Sequence, residues 1–337
     1  MRIALDATPL IVPTGGIRRY VEELVRALTV QFPHDSFQLI SDQPNPPSGI
    51  FKYWWMLGAN REMRRREIDL FHGTDFAVPY VPLRPSVLTL HDLSPWRFQD
   101  SPRVRLRTPY LLGFGIATTV ITPSRAIRKE AITEFRLSPA RVAAVPLAAP
   151  SWMTRVETMQ SGNPYFLYVG TIGPRKNIET VITAWRAIRA ERKVDLVLAG
   201  KLAAEQSPIH VEPGLRLLGP VADRELPRLY SGAAAVVYPS LYEGFGLPVL
   251  EAMQCGAMVI TSTDPALVET GGDAAVAVAA KDVRGWIDAM RAALTNETFV
   301  ATRQELSLRQ ATRFNWTRTA KETYEVYLAA QRQFTEF

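Results

Sequence analysis

A single cysteine, Cys255, among 337 residues cannot close an internal disulfide, and with only four histidines it leaves little from which to build a zinc site. No apolar run reaches the ~18–20 residues of a membrane-spanning helix. The longest, Tyr110–Thr122, is broken by two glycines and three threonines. The N-terminus, Met1-Arg2-Ile3-Ala4-Leu5-Asp6, places an acid where a signal peptide needs its apolar centre. Neither G-x-G-x-x-G nor G-x-x-x-x-G-K-[ST] occurs, which disfavours a dinucleotide cofactor and a P-loop ATPase. No helix pairs a basic stripe with a dimer seam or a base-stacking platform, so nucleic acid is not an expected partner. These absences lead us to expect a soluble, cytoplasmic protein with no cofactor and no metal.

What is present is ordinary for a globular chain. It is 47% hydrophobic and 21% charged, which excludes intrinsic disorder, and its length suits two domains. The net charge of +6 is unevenly placed. Residues 1–150 carry 19 Lys and Arg against 13 Asp and Glu, whereas residues 151–337 balance at 20 and 20. A basic first half suits a phosphorylated substrate or an anionic lipid surface.

Short apolar strands alternate with amphipathic helices throughout. In the first half, strands are predicted at Arg2–Leu10, Phe37–Ser41, Leu70–His72, Ser86–His91 and Thr119–Thr122, with a helix over Ile17–Val30 and a loop at Pro44–Pro47. After a linker, Pro146–Pro164, the pattern restarts. Strands are predicted at Tyr165–Val169, Val194–Ala199, Leu215–Leu218, Ala234–Tyr238 and Met258–Thr261. Helices are predicted at Asn177–Ala190, Glu225–Ser231, Pro248–Gln254, Val283–Thr295 and Phe299–Gln310. The pattern is α/β, two Rossmann-like doubly wound domains in tandem, spanning 1–150 and 163–316. Such domains bind ligands at the carboxyl ends of their strands, here expected to face a central cleft.

The segment Tyr238-Pro-Ser-Leu-Tyr-Glu-Gly-Phe-Gly-Leu-Pro-Val-Leu-Glu-Ala-Met253 carries the most specific chemistry. Gly244 and Gly246 permit close backbone approach, and the helix start beyond them offers N–H groups to a phosphate. Glu243 sits in the loop, and Glu251 is expected in the first helical turn. The two carboxylates can accept hydrogen bonds from sugar hydroxyls; the bland alternative makes Glu251 a first-turn acid favoured by the helix dipole. A second segment, Tyr168-Val-Gly-Thr-Ile-Gly-Pro-Arg-Lys-Asn177, sets Gly170 in a turn and Arg175 and Lys176 before a helix, where cations need an anionic partner such as a diphosphate. The alternative is a solvated basic pair. Gly15 and Gly16, in Thr14-Gly-Gly-Ile-Arg-Arg-Tyr20, follow the first strand and either admit a phosphate or make a plain turn. His91-Asp92 ends an apolar strand, as a cleft residue or a capped turn, and His72 is placed similarly. Tyr53-Trp-Trp-Met-Leu57, followed by Arg61, Arg64, Arg65 and Arg66, suits either a membrane interface or a core-packed helix with exposed arginines. Arg97, Arg103, Arg105 and Arg107 form a second basic cluster.

Taken in order, these residues resemble the GT-B-fold retaining glycosyltransferases of family 4, over almost the whole chain. The Gly-Gly loop, His91-Asp92, Pro123-Ser124, Val169-Gly170, Arg175-Lys176 and Leu218-Gly219 all match. Glu243 and Glu251 match the family's E-x7-E motif with its Gly-Phe-Gly centre intact. The resemblance implies a donor site in which Gly16, Arg175 and Lys176 hold a diphosphate. Glu243 and the Phe245–Leu247 backbone would contact the transferred sugar, Glu251 the ribose, and Gly219–Val221 the base. His91 would face the reacting sugar, and a terminal helix within 317–337 would cross back to the first domain. It also implies metal-independent transfer with retention of a hexose, mannose favoured, from a GDP- or UDP-linked donor such as GDP-mannose. The acceptor would be a glycan or a lipid-linked glycan, with peripheral contact at an anionic membrane, as in O-antigen or other polysaccharide assembly. Arg175→Ala and Lys176→Ala are expected to lower turnover far more than stability. A nucleotide-sugar epimerase of the same fold and a non-catalytic nucleotide-sugar-binding partner subunit are the alternatives.

Overall fold

The computed structural model describes residues 1–11, 15–41, 54–98, 101–158 and 162–335. Thr14, the 44–47 loop and Tyr53 lie outside the described residues. The chain divides into two compact units, Met1–Leu147 with Asn315–Phe337, and Ala148–Phe314.

In the first unit the order is β1 (Arg2–Asp6), α1 (Gly16–Gln31), β2 (Ser36–Ile40), α2 (Ala59–Arg65), β3 (Leu70–Gly73), β4 (Ser86–Thr89), α3 (Ser94–Arg97), α4 (Pro102–Gly113), β5 (Thr119–Thr122), α5 (Arg125–Phe135) and β6 (Val142–Ala144). The strands form one parallel sheet, β2-β1-β3-β4-β5-β6. Every residue of β3, β4 and β5 is buried, as expected where helices cover both faces. Helix α1 buries Tyr20, Val21, Leu24 and Leu28 on one face. Helix α5 starts at Ser124, whose hydroxyl accepts the Ile127 N–H at 3.2 Å.

The second unit repeats the plan with β7 (Tyr165–Val169), α6 (Ile178–Glu191), β8 (Asp195–Ala199), β9 (Leu215–Gly219), α7 (Leu226–Gly232), β10 (Ala235–Tyr238), α8 (Leu247–Gln254), β11 (Val259–Ser262), α9 (Pro265–Gly271), β12 (Val276–Val278), α10 (Val283–Thr295) and α11 (Glu297–Ala311). Its parallel sheet runs β12-β11-β10-β7-β8-β9. Trp185 and Trp286 are fully buried, and each indole N–H finds a carbonyl, Val194 at 3.0 Å and Ala279 at 3.2 Å. Both therefore contribute apolar area without an orphaned donor.

The last helix, α12 (Trp316–Thr335), belongs to the first unit and packs on α1, β4 and β5. Tyr324 stacks on Phe32 at 3.7 Å, and the Tyr327 hydroxyl meets His72 Nδ1 at 2.7 Å. His72 Nε2 meets Thr89 Oγ1 at 2.8 Å. Burial lowers the His72 pKa to about 3, with His91 adding to the effect, so the ring stays neutral. His72 is thereby a buried structural link rather than a cleft residue.

The β1 strand is shorter than its apolar run. Asp6 Oδ1 accepts both the Thr8 N–H at 3.0 Å and the Thr8 hydroxyl at 2.6 Å, turning the chain into a 3-10 helix over Thr8–Ile11. Strands β6 and β12 have three residues each, too short for periodicity to reveal. No helix among the described residues is long and apolar enough to cross a membrane.

Candidate active site

In a doubly wound sheet, the crevice at the carboxyl ends opens where two neighbouring strands send their connections opposite ways. In the second unit those strands are β7 and β10, which pair directly although four elements separate them in sequence. The loops leaving them are Gly170–Asn177 and Pro239–Gly246. Sequence distance thus hides a spatial meeting that the sheet order enforces.

Hydrogen bonds and an ion pair hold these loops together. The Leu241 N–H donates to the Arg175 carbonyl at 2.8 Å. Asn177 Nδ2 donates to the carbonyls of Pro239 at 3.1 Å and Ala280 at 2.6 Å. Lys176 Nζ forms a buried ion pair with Glu243. The ammonium also lies 5.5 Å from the centroid of the Tyr238 ring, which stacks on Tyr168 at 5.4 Å. Lys176 is accordingly no solvated surface cation. Arg175 beside it is only half-buried, with its carbonyl committed to Leu241.

Two glycines are demanded by this geometry. Gly170 adopts φ +144°, and a Cβ there would lie 3.2 Å from the Tyr168 hydroxyl; Gly246 adopts φ +92°, and a Cβ would come within 2.5 Å of Leu267 Cδ2. Gly246 caps α8 without a side-chain cap hydrogen bond of its own. Phe245 is buried edge-on to Phe314 at 5.7 Å, and its carbonyl accepts the Thr270 hydroxyl at 2.6 Å. Leu247 is the first residue of α8. Glu251 is therefore fifth in the helix, in the second turn and not the first, so the helix-dipole reading of it fails. It is buried, and Oε2 accepts the Tyr230 hydroxyl of α7 at 3.0 Å. Gly219 closes β9 at φ +66°, its carbonyl accepting the Gly200 N–H at 2.8 Å, and Val221 is half-buried in the loop that follows.

Sequence reasoning passed over Asp264. This residue caps α9 by accepting the N–H groups of Ala266 at 3.0 Å and Leu267 at 3.2 Å, and it also receives the Glu243 N–H at 3.4 Å. Burial lifts its pKa to about 6, and the Glu243 carboxylate adds to the rise against the amides that lower it. The dipeptide Asp264-Pro265 is a helix-start signature, so the cap was readable even though its grip on Glu243 was not. Asn177, predicted to begin a helix, instead precedes α6 as its cap, and its side-chain grip on Pro239 was not readable.

In the first unit the carboxyl ends of β3 and β4 bring His91 and Asp75 together. His91 Nε2 donates to the Thr74 carbonyl at 2.8 Å, which leaves the Nδ1 lone pair outward from that bond when the ring is neutral. Tyr20 and Phe76 flank the ring edge-on at 5.2 Å and 6.2 Å. Asp92 accepts the Ser94 N–H at 2.8 Å and starts α3. These bonds are those of a capped turn with a hydrogen-bonded histidine. Burial raises the Asp75 pKa while the nearby His91 and Arg107 oppose that rise, and Asp75 Oδ1 has no hydrogen-bond partner among the described residues. Nothing in the sequence around Asp75 marks it. Gly15 caps α1 at φ +141° and Gly16 begins the helix; a Cβ on either would meet no protein atom within 4 Å, so crowding requires neither glycine. Among the described residues no three His, Cys, Asp or Glu side chains are grouped to hold a metal ion.

The chain matches two family models, "Glycosyltransferase Family 4" over residues 14–149 and "Glycosyl transferases group 1" over residues 163–296. It is 29% identical to the O-antigen chain mannosyltransferase B of Escherichia coli, across 97% of this chain and 99% of that protein. Glycogen synthase of Mycobacterium tuberculosis is 30% identical, across 82% of this chain and 72% of that one. Among solved structures, Anabaena Alr3699/HepE in complex with UDP and glucose superposes with a TM-score of 0.76 at 16% identity, over 97% and 99% of the two chains. Two all-parallel doubly wound sheets, two adjoining family matches and relatives spanning nearly the full chain lead to one assignment: the chain belongs to the group 1 glycosyltransferases of the GT-B fold.

Proposed function

We propose that this glycosyltransferase moves a hexose, mannose favoured, from a nucleoside-diphosphate sugar to a glycan or lipid-linked glycan, with retention and without a metal. The buried Lys176–Glu243 pair at the meeting of the β7 and β10 loops carries the reading, because a cation held there with Arg175 beside it suits a departing diphosphate. As the bond between the anomeric carbon and the phosphate oxygen breaks, the leaving group gains negative charge. Fixed cations and amide N–H groups, already oriented, stabilise it by a few kcal/mol per donor, roughly. The acceptor oxygen bonds to the same face of that carbon, and its proton passes to a phosphate oxygen of the leaving group, so no side chain need act as general base.

In this reading Arg175, Lys176 and Gly16 hold the diphosphate. Glu243, Gly244 and the N–H side of Phe245–Leu247 meet the sugar, Glu251 the ribose, and Gly219 with Val221 the base; His91 serves the reacting sugar. The E. coli relative, an O-antigen mannosyltransferase, supports mannose and polysaccharide assembly, whereas the Anabaena structure holds UDP and glucose, so GDP- and UDP-linked donors are both to be tried. Family membership favours transfer over epimerisation and over a silent binding subunit. A thermal-shift panel of GDP, UDP, ADP and dTDP, followed by transfer assays with sugars of the best nucleotide, tests the proposal. Stabilisation by one nucleotide and acceptor-dependent transfer are expected. A donor isomerised without acceptor would restore the epimerase reading, and donor binding without turnover the binding subunit.

A further inference from the structure

The first unit carries an apolar stripe that none of these roles uses. Helix α4 exposes Leu106, Tyr110 and Phe114 at its end, four residues apart and so on one face, with exposures of 67%, 63% and 77%. The rings of Tyr110 and Phe114 stack at 6.1 Å, which fixes them as one surface instead of two loose side chains. Large apolar residues exposed singly are unremarkable, but a contiguous row marks an interaction site.

The surroundings of the stripe choose its partner. No acid occurs on α4, and Arg103 and Arg105 form no ion pair among the described residues. Arg107 turns the other way, its guanidinium 5.8 Å from the Trp55 ring and donating to the Phe76 carbonyl at 3.4 Å. That contact sets the 54–58 segment beside α4. The segment buries Trp54 in the core yet exposes Met56 and Leu57, so only part of the run packs inward. Arg61 is exposed one turn further on. Exposed apolar and aromatic side chains bordered by arginines that form no ion pair among the described residues, on the half of the chain that holds the entire +6 excess, fit an anionic bilayer.

We infer that the face formed by Leu106, Tyr110 and Phe114, with Arg103, Arg105 and the Met56–Leu57 shoulder, seats the first unit on an anionic lipid surface. This deepens the lipid-linked acceptor reading and names the surface involved. Its readout is lipid binding, so it can fail while transfer to a soluble acceptor survives, and the reverse.

The test is co-sedimentation of the full chain with phosphatidylglycerol-containing and pure phosphatidylcholine vesicles. Wild type is expected to bind the anionic vesicles at low salt and to lose them as salt screens the arginines. Leu106→Ser with Tyr110→Ser and Phe114→Ser, or Arg103→Glu with Arg105→Glu, should each reduce the partition coefficient about tenfold or more, while nucleotide-induced thermal shifts stay unchanged. Phe114→Cys offers a second readout. Cys255 is buried, so an environment-sensitive dye labels position 114 selectively, and its emission should shift to the blue on anionic vesicles only. Undiminished binding by both multiple variants, no binding by wild type, or an unshifted dye would overturn the inference. So would a wild-type dimer, seen by analytical ultracentrifugation, that the Ser variants dissociate without changing vesicle binding, since the stripe would then join two copies of the chain.

Discussion

Replacing Lys176 by methionine removes one member of an ion pair whose residues are only 8% and 7% exposed. The Glu243 carboxylate is left buried without its cation, and Asp264 beside it adds charge of the same sign. Deleting one partner of a buried pair costs about 3–5 kcal/mol, far more than a surface change. The double variant Lys176→Met with Glu243→Leu leaves no charge behind, and apolar replacement of a buried pair is often neutral or stabilising. Urea unfolding of the four proteins should therefore yield a coupling energy of about 3 kcal/mol or more, with the double variant more stable than either single one. All three variants should lose transfer. Lys176→Ala, expected from the sequence to lower turnover far more than stability, should cost stability as well, because the lysine is buried and its charge is felt by the fold. A Lys176→Met protein that unfolds within about 1 kcal/mol of wild type would refute this reasoning.

Arg175→Ala separates the two effects, since the half-buried side chain leaves the Leu241 bond to its carbonyl untouched; turnover should fall by about 100-fold while stability changes by less than about 1 kcal/mol, read by steady-state kinetics and urea unfolding. Glu251→Ala removes the carboxylate that accepts the buried Tyr230 hydroxyl and should cost about 1–3 kcal/mol, whereas Glu251→Gln keeps an acceptor and should be milder; both should weaken nucleotide binding in calorimetry. His72 sets a pH dependence: its folded pKa is depressed to about 3, so the stability of the neutral ring is present above the unfolded value near 6.5 and is lost as pH falls toward 3. The slope is about 1.4 kcal/mol per pH unit at most, and His72→Asn should flatten it in urea unfolding at pH 7 and pH 5.

The sheets were readable because helix-covered parallel strands are continuous apolar runs, and Tyr165–Val169 and Thr119–Thr122 end where their hydrophobicity does. Strands β6 and β12 escaped because three residues carry no period, and β1 stopped early because the Asp6 side chain captured Thr8. The site was legible as two separate motifs, since Glu243 and Lys176 each stand in a segment of distinctive composition. Their pairing was not, because it depends on β10 returning beside β7. Asp264 and Asp75 stayed hidden for a similar reason: one acts through a backbone amide 21 residues away, the other through burial alone.

The most direct test of the account is a crystal structure of the full chain soaked with GDP-mannose, or with the nucleotide sugar that most raises its melting temperature. The diphosphate is expected beyond the end of β7, within hydrogen-bond reach of Arg175 and Lys176. Density for the diphosphate elsewhere, with both side chains as they stand in the free protein, would contradict it.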